Sequence, residues 1–209
     1  MRSVSRPLSG LYLIVDRSVG DRAPEEITRG ALKAGVRWFQ YREKKAARGE
    51  IFEVALRLRR MTADFGAVLI VNDHADIAVA ADADGVHLGQ DDLPLGEARK
   101  VVGDRIIGIS THSLEEALEA SDKGADYVGY GPVFPTKTKD AGEPKGVAML
   151  ARVSQSVSIP VVAIGGVSKE NLKPVLDAGA AAVAVASAIL IGDIRGNISS
   201  FLGIIGRDL

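Results

Sequence analysis

From Leu11 onward, short apolar runs rich in Val, Ile and Ala alternate with stretches in which apolar residues recur three and four positions apart. The short runs predict strands near residues 11–15, 36–42, 67–71, 85–88, 105–109, 127–130, 160–164 and 182–185. The intervening stretches read as amphipathic helices. Ile51, Val54, Ala55, Leu58 and Met61 form one apolar stripe, with Arg57, Arg59 and Arg60 off it. Leu114, Ala117, Leu118 and Ser121 form another, entered through a capping-box pattern from Ser113 to Glu116. Ala34-Gly35, Gly124-Ala125 and Gly179-Ala180 each stand just before a strand, where glycine suits the left-handed turn that ends a helix. The shortest helical pattern covers residues 75–81.

Eight strand–helix units without a compositional break predict a closed parallel (β/α)8 TIM barrel, an α/β fold. An open doubly wound sheet has the same local pattern, but the count of eight favours the barrel. The 209 residues suit one such domain over 1–209, with residues 1–9 as an N-terminal tail. One connection is long: residues 131–146, GPVFPTKTKDAGEPKG, with three prolines shaping it and three lysines and two threonines giving it chemistry. Long βα loops are usually functional or disordered, and this one is expected to close over bound ligands.

Charge narrows the partners. Lys+Arg 26 against Asp+Glu 27 leaves a net charge of −1, which argues against a broad basic surface for nucleic acid or anionic membrane. Cations that do cluster then point to a small anionic ligand. With no cysteine, disulfides, a thiolate nucleophile and thiolate metal ligands are excluded. The longest apolar stretch, residues 178–192, is Ala-rich and shorter than the roughly 18 residues of a spanning helix. The N-terminal apolar run is too short for a signal peptide. A cytoplasmic protein, monomer or homo-oligomer, is expected.

In a parallel barrel the C-terminal strand ends form the active-site face. Here those positions carry Gln40-Tyr41-Arg42-Glu43-Lys44, Asn72-Asp73, Gly89-Gln90-Asp91-Asp92, Ser110-Thr111-His112, Thr136-Lys137-Thr138-Lys139, Gly165-Gly166 and Ala186-Ser187. Alternation along a strand puts Gln40, Arg42 and Lys44 on one face, Tyr41 and Glu43 on the other. Two cations and an amide on one face suit an oligophosphate, although a solvated strand end paired with Glu43 fits the segment equally well. Asp73 and Asp92 follow adjacent strands, so their carboxylates can converge on Mg²⁺, which needs only one or two protein carboxylates besides water and phosphate oxygens. Asp91 competes with Asp92. Gly166 and Ser187, after strands 7 and 8, fit the phosphate site common in this fold. His87 reads as structural and His74 as a capping or surface residue; His112 reaches a strand end with no partner spaced for catalysis. No Ser-His-Asp or zinc spacing is present.

Taken together and in order, QYREK (40–44), ND (72–73), GVHLGQDD (85–92), IGISTHS (107–113), GPVFPTKTK (131–139), AIGGV (163–167) and VASAI (185–189) resemble the thiamine-phosphate synthase family. The resemblance covers nearly the whole chain. It implies a transferase on a (β/α)8 barrel that joins a hydroxymethylpyrimidine diphosphate to a thiazole phosphate, two phosphorylated small-molecule substrates. The products would be thiamine phosphate and pyrophosphate. It further implies that Gln40, Arg42, Lys44, Asn72, Ser110 and Lys139 hold the pyrimidine diphosphate, with Tyr41 and Glu43 as parts of the same segment. Arg42, Lys44, Ser110 and Lys139 would act in catalysis. Asp73 and Asp92 would hold Mg²⁺. Thr136, Lys137, Thr138, Gly166, Ala186 and Ser187 would hold the thiazole phosphate. His74 and Tyr41 depart from the commoner Arg and Leu of the family. A related thiazole tautomerase shares the barrel and the thiazole site but has no use for the diphosphate clamp, and a non-catalytic sensor would have no use for both metal carboxylates.

Overall fold

The computed structural model describes residues 7–136 and 142–206. Eight strands appear in chain order: β1 (Gly10–Asp16), β2 (Trp38–Arg42), β3 (Val68–Asn72), β4 (Gly85–Leu88), β5 (Ile106–Thr111), β6 (Tyr127–Tyr130), β7 (Val161–Ile164) and β8 (Ala182–Val185). Each pairs in parallel with the next, and β8 pairs with β1 to close the barrel. The helices are α1 (Pro24–Lys33), α2 (Arg48–Ala63), α3 (Ala75–Ala80), α4 (Leu95–Val102), α5 (Leu114–Asp122), α6 (Gly146–Ser156), α7 (Leu172–Asp177), α8 (Ser187–Leu190) and α9 (Ile194–Ile205).

Every strand run expected from the sequence is present, with boundaries moved by one or two residues. Alternation divides the strand side chains between two cores. Leu11, Leu13, Phe39, Leu69, Val71, Val86 and Val128 face outward into one layer with the helix stripes of α1, α2 and α5. Tyr12, Ile14, Trp38, Val68, Ile70, Ile106, Tyr127, Val162, Ala182 and Ala184 fill the barrel interior. The interior is therefore packed at its base and open only at the C-terminal strand ends.

Helix ends follow the sequence signals closely. Gly35, Gly124 and Gly179 all sit at positive φ immediately after a helix. Ser113 caps α5: its hydroxyl accepts from the Glu116 N–H at 3.1 Å. The reciprocal bond of a capping box is shifted by one residue, because Glu116 accepts from the His112 N–H at 2.6 Å instead. That shift ties the end of β5 to the helix start and fixes where His112 stands. At the opposite rim the polar residues serve the fold. Asp84 accepts from the Leu69 N–H and Asp126 from the Ile107 N–H, each at 2.8 Å, while Arg59 and Arg99 pair with these same carboxylates.

Candidate active site

At the C-terminal rim the strand ends surround a cleft of about 900 Å³, a volume that includes its open mouth. β2 aims Gln40 and Arg42 into it, and β3 and β5 contribute Asn72 and Ser110. Strand alternation is the cause. Tyr41 turns outward into the layer beneath the helices, where its ring is buried and its hydroxyl has no hydrogen-bond partner. Glu43 also leaves the cleft: its Oε1 accepts from the N–H groups of Lys45 (2.7 Å) and Ala46 (3.2 Å), holding the turn into α2. Their inclusion with the ligand-holding residues is thus corrected. They belong to the motif by sequence and to the scaffold by geometry.

Arg42 has a partner that the pattern of strand ends did not single out. Asp16, the last residue of β1, is 2% exposed and pairs with the Arg42 guanidinium. Its other oxygen accepts from the Ser18 N–H (2.8 Å) and hydroxyl (2.6 Å). A carboxylate buried to this degree is kept only when paired and hydrogen-bonded. Here it fixes the fork of Arg42 at the cleft wall. The sequence signal was an aspartate ending an apolar strand, which equally describes a turn residue.

Beside this wall lies a carboxylate pair. Asp73 follows β3 at φ 65°, its N–H bonded to the His87 carbonyl at 2.8 Å, and its side chain pairs with Lys44. Asp92 is held by the Gly89 N–H at 2.7 Å. The two carboxyl groups are close enough to share a hydrogen bond, and burial, reinforced by the charge of Asp73, pushes the Asp92 carboxyl above its ordinary value. Asp91 is exposed and stands apart from the pair. Lys44, Asp73 and Asp92 are not among the residues lining the cleft, and Asp92 instead lines a neighbouring hollow with Gly89 and Gln90. Two crowded carboxylates are still a donor set that fits a hard divalent cation such as Mg²⁺, which takes its remaining ligands from water and substrate. Among the described residues no cluster of three or more His, Asp or Glu side chains forms a fuller metal cage.

This crowding has a measurable sign. A raised folded-state pKa means that protonated Asp92 favours the fold. That contribution is complete below the unfolded value of 3.8 and is lost as pH rises through the raised folded value. In EDTA at neutral pH, Asp92→Asn is therefore expected to melt above the parent, with the gap closing as pH falls below about 4. A variant that melts lower at neutral pH would show that the carboxylates do not repel.

The other side of the cleft is built from backbone. Gly165 (φ 93°) and Gly166 (φ 65°) curl the chain after β7. A side chain at 166 would place its Cβ 2.5 Å from the Pro135 carbonyl oxygen, so only glycine allows this approach. Opposite stand Ala186 and Ser187, where the chain leaves β8 and enters α8, and Thr136 joins from the β6 loop. The structure thus brings Thr136, Gly166, Ala186 and Ser187 to one end of the same cleft that holds Gln40, Arg42, Asn72 and Ser110 at the other. Lys137, Thr138 and Lys139 lie outside the described residues.

Of the histidines, His74 precedes α3 without capping it, its Nδ1 3.4 Å from Arg48. His112 lines the cleft with Nδ1 on the Gly131 carbonyl at 2.7 Å. His87, expected to be structural, is buried inside the barrel yet lines the cleft floor beside Ser110, to which its Nε2 is bonded.

The chain that builds this cleft is similar to known proteins over most of its length. The family model described as thiamine monophosphate synthase matches residues 11–189. A thiamine-phosphate synthase from Archaeoglobus fulgidus is 50% identical over 184 residues, 88% of this chain and 86% of that protein. One from Shouchella clausii is 50% identical over 167 residues, 79% of this chain and 80% of that protein. The solved structure of a thiamine phosphate pyrophosphorylase from Pyrococcus furiosus superposes with a TM-score of 0.90 at 42% identity, covering 96% of each chain. On these matches the chain belongs to the thiamine monophosphate synthase family.

Proposed function

We propose that the protein condenses 4-amino-2-methyl-5-(diphosphooxymethyl)pyrimidine with 4-methyl-5-(2-phosphoethyl)thiazole to give thiamine phosphate and pyrophosphate. It does so as a Mg²⁺-dependent transferase of the cytoplasm. The observation that supports this reading is one cleft lined by two separate polar groups, each suited to an anion. Arg42, Asn72 and Ser110 form one; the Gly166 turn and Ser187 form the other.

The diphosphate lies against Arg42, Asn72 and Ser110, with the charges of Lys44 and Lys139 beside it. The thiazole phosphate lies at Gly166, Ala186 and Ser187, with Thr136, Lys137 and Thr138 over it. The bond between the pyrimidine methylene and the diphosphate oxygen breaks, and its electron pair leaves with pyrophosphate. The lone pair of the thiazole nitrogen then forms the new C–N bond to that methylene carbon. Asp73 and Asp92 hold Mg²⁺, which when bound neutralises charge on the leaving group. No protein nucleophile enters this balance. The protein's part is to stabilise the departing charge with donors already in place and to hold the two rings in line. Ile14, Ile164 and Val167 on the cleft wall keep water from the methylene carbon while it is cationic.

Incubating the purified chain with both substrates and Mg²⁺ is expected to give pyrophosphate and thiamine phosphate in equal amounts, and EDTA is expected to stop both. Isomerisation of a thiazole phosphate with no pyrophosphate formed would assign the protein to the tautomerase reaction instead.

A further inference from the structure

A file of hydrogen bonds crosses the barrel beneath the cleft. The Gln40 amide nitrogen donates to the Tyr12 hydroxyl at 3.3 Å, and the Tyr12 and Tyr127 hydroxyls meet at 2.9 Å. Tyr127 Oη lies 2.9 Å from His87 Nδ1, and His87 Nε2 lies 2.9 Å from Ser110 Oγ. Tyr12, Tyr127, Gln40 and His87 are all buried, and the file emerges at both ends in the cleft, through Gln40 and Ser110. Its members are closely fitted. The His87 and Tyr127 rings stack at 5.5 Å, and the Tyr12 and Tyr127 rings meet edge to face at 6.1 Å. Small residues leave them room: a Cβ at Gly108 would fall 2.0 Å from Tyr127 Cζ, and one at Gly129 would fall 3.1 Å from His87 Cε1.

Proton counting gives the file a direction. A phenol has one proton to donate, and burial keeps both phenols un-ionised, with their pKa values well above the ordinary one. An amide nitrogen only donates. Tyr12 therefore receives from Gln40 and passes its own proton to Tyr127, and Tyr127 passes its proton to His87 Nδ1. A neutral imidazole that accepts at Nδ1 carries its proton on Nε2, so His87 donates to Ser110 Oγ. The Ser110 hydroxyl then has its proton left for the cleft. At the far end, the Gln40 carbonyl oxygen is the atom that the file does not use. Reversing the Tyr12–Tyr127 bond would reverse the two bonds beyond it and leave the Tyr12 proton with no acceptor in the file.

We propose that His87 is a positioning residue: held in its Nε2–H tautomer by Tyr127, it fixes Ser110 as a hydrogen-bond donor toward the substrate. The ligand selected is one that presents an acceptor, a phosphate oxygen or a bare ring nitrogen, to Ser110. Toward Gln40 it presents an N–H such as an exocyclic amine. Applied to the pyrimidine diphosphate, this rests on the function proposed above; the tautomer itself does not.

The tautomer is read directly by ¹⁵N NMR of the histidine-labelled full chain, with His87 identified as the resonance that persists in His74→Asn and His112→Asn. A neutral ring protonated at Nε2 is expected. A ring protonated at Nδ1, or at both nitrogens, overturns the proposal whether or not the protein makes thiamine phosphate. Kinetics give the second arm. Tyr127→Phe keeps the ring but frees Nδ1 to take the proton, so Nε2 becomes an acceptor and claims the Ser110 hydroxyl. The KM for the pyrimidine diphosphate is expected to rise by about tenfold, the worth of one ordinary hydrogen bond, with the KM for the thiazole phosphate unchanged. Ser110→Ala added to Tyr127→Phe should cost nothing beyond Ser110→Ala alone. Independent, multiplying losses, or equal loss for both substrates, would reduce the file to a packing role.

Discussion

Arg42→Ala is expected to lower kcat/KM for pyrophosphate release by about 10²- to 10³-fold, the usual cost of removing one well-placed electrostatic donor from a reacting centre. The size follows from how Arg42 is held. Its guanidinium is anchored to the buried Asp16 carboxylate, which is itself bonded to Ser18, so the fork is in place before any diphosphate arrives. The alanine variant also leaves Asp16 buried without its cation, which costs stability as well as activity. Arg42→Lys separates the two effects. It keeps a positive charge for Asp16 but loses the planar fork, so its melting temperature should lie nearer the parent than that of Arg42→Ala while its turnover stays low. Steady-state kinetics and thermal melts on the same preparations check both. Turnover near the parent value in Arg42→Ala would remove this residue from the diphosphate site.

Gly108→Ala is expected to destabilise the barrel by about 1–3 kcal/mol or more. Its new Cβ would fall within the Tyr127 ring. Neighbouring strands leave that ring nowhere to go, since Tyr12 meets it edge-on and His87 stacks against it. Gly96→Ala, on α4 with open space around its Cβ, serves as the control and should be neutral or slightly stabilising. Chemical denaturation of the two variants measures the difference. If Gly108→Ala matched the control, the interior would be looser than these contacts imply.

The barrel was legible from period alone, because β-type runs and three-and-four spacing alternate without interruption and the helix-ending glycines mark the returns. The rim was legible for a related reason. In a parallel barrel, position at the C-terminal end of a strand stands in for proximity, so Gln40, Arg42, Asn72, Asp73, Asp92 and Ser110 could be grouped although dispersed in the chain. What escaped that reasoning has physical causes. Tyr41 and Glu43, which alternation already sets on the face away from Arg42, belong to the scaffold; only the contiguous motif groups them with the ligand-holding residues. Asp16, a lone aspartate ending an apolar strand, carries no pattern that tells a buried partner of Arg42 from a turn residue. Tyr12 and Tyr127 stand 115 positions apart, and their hydroxyls meet because closure sets β1 and β6 across one interior. No linear pattern encodes that meeting, so His87 could be judged structural but not placed in a file reaching the cleft.

The seam between β8 and β1 bears on how the chain acquires its shape. Gly10 to Leu13 take their partners from Ala182 to Val185, and α9 then lays Ile198, Phe201 and Ile205 into the outer core. Until β8 has been synthesised, two strand edges stay unpaired and the rim stays incomplete. Such edges invite pairing with other chains, and contacts this distant in sequence form slowly. Stalled or truncated translation products of this protein should therefore be sticky and inactive rather than partly functional.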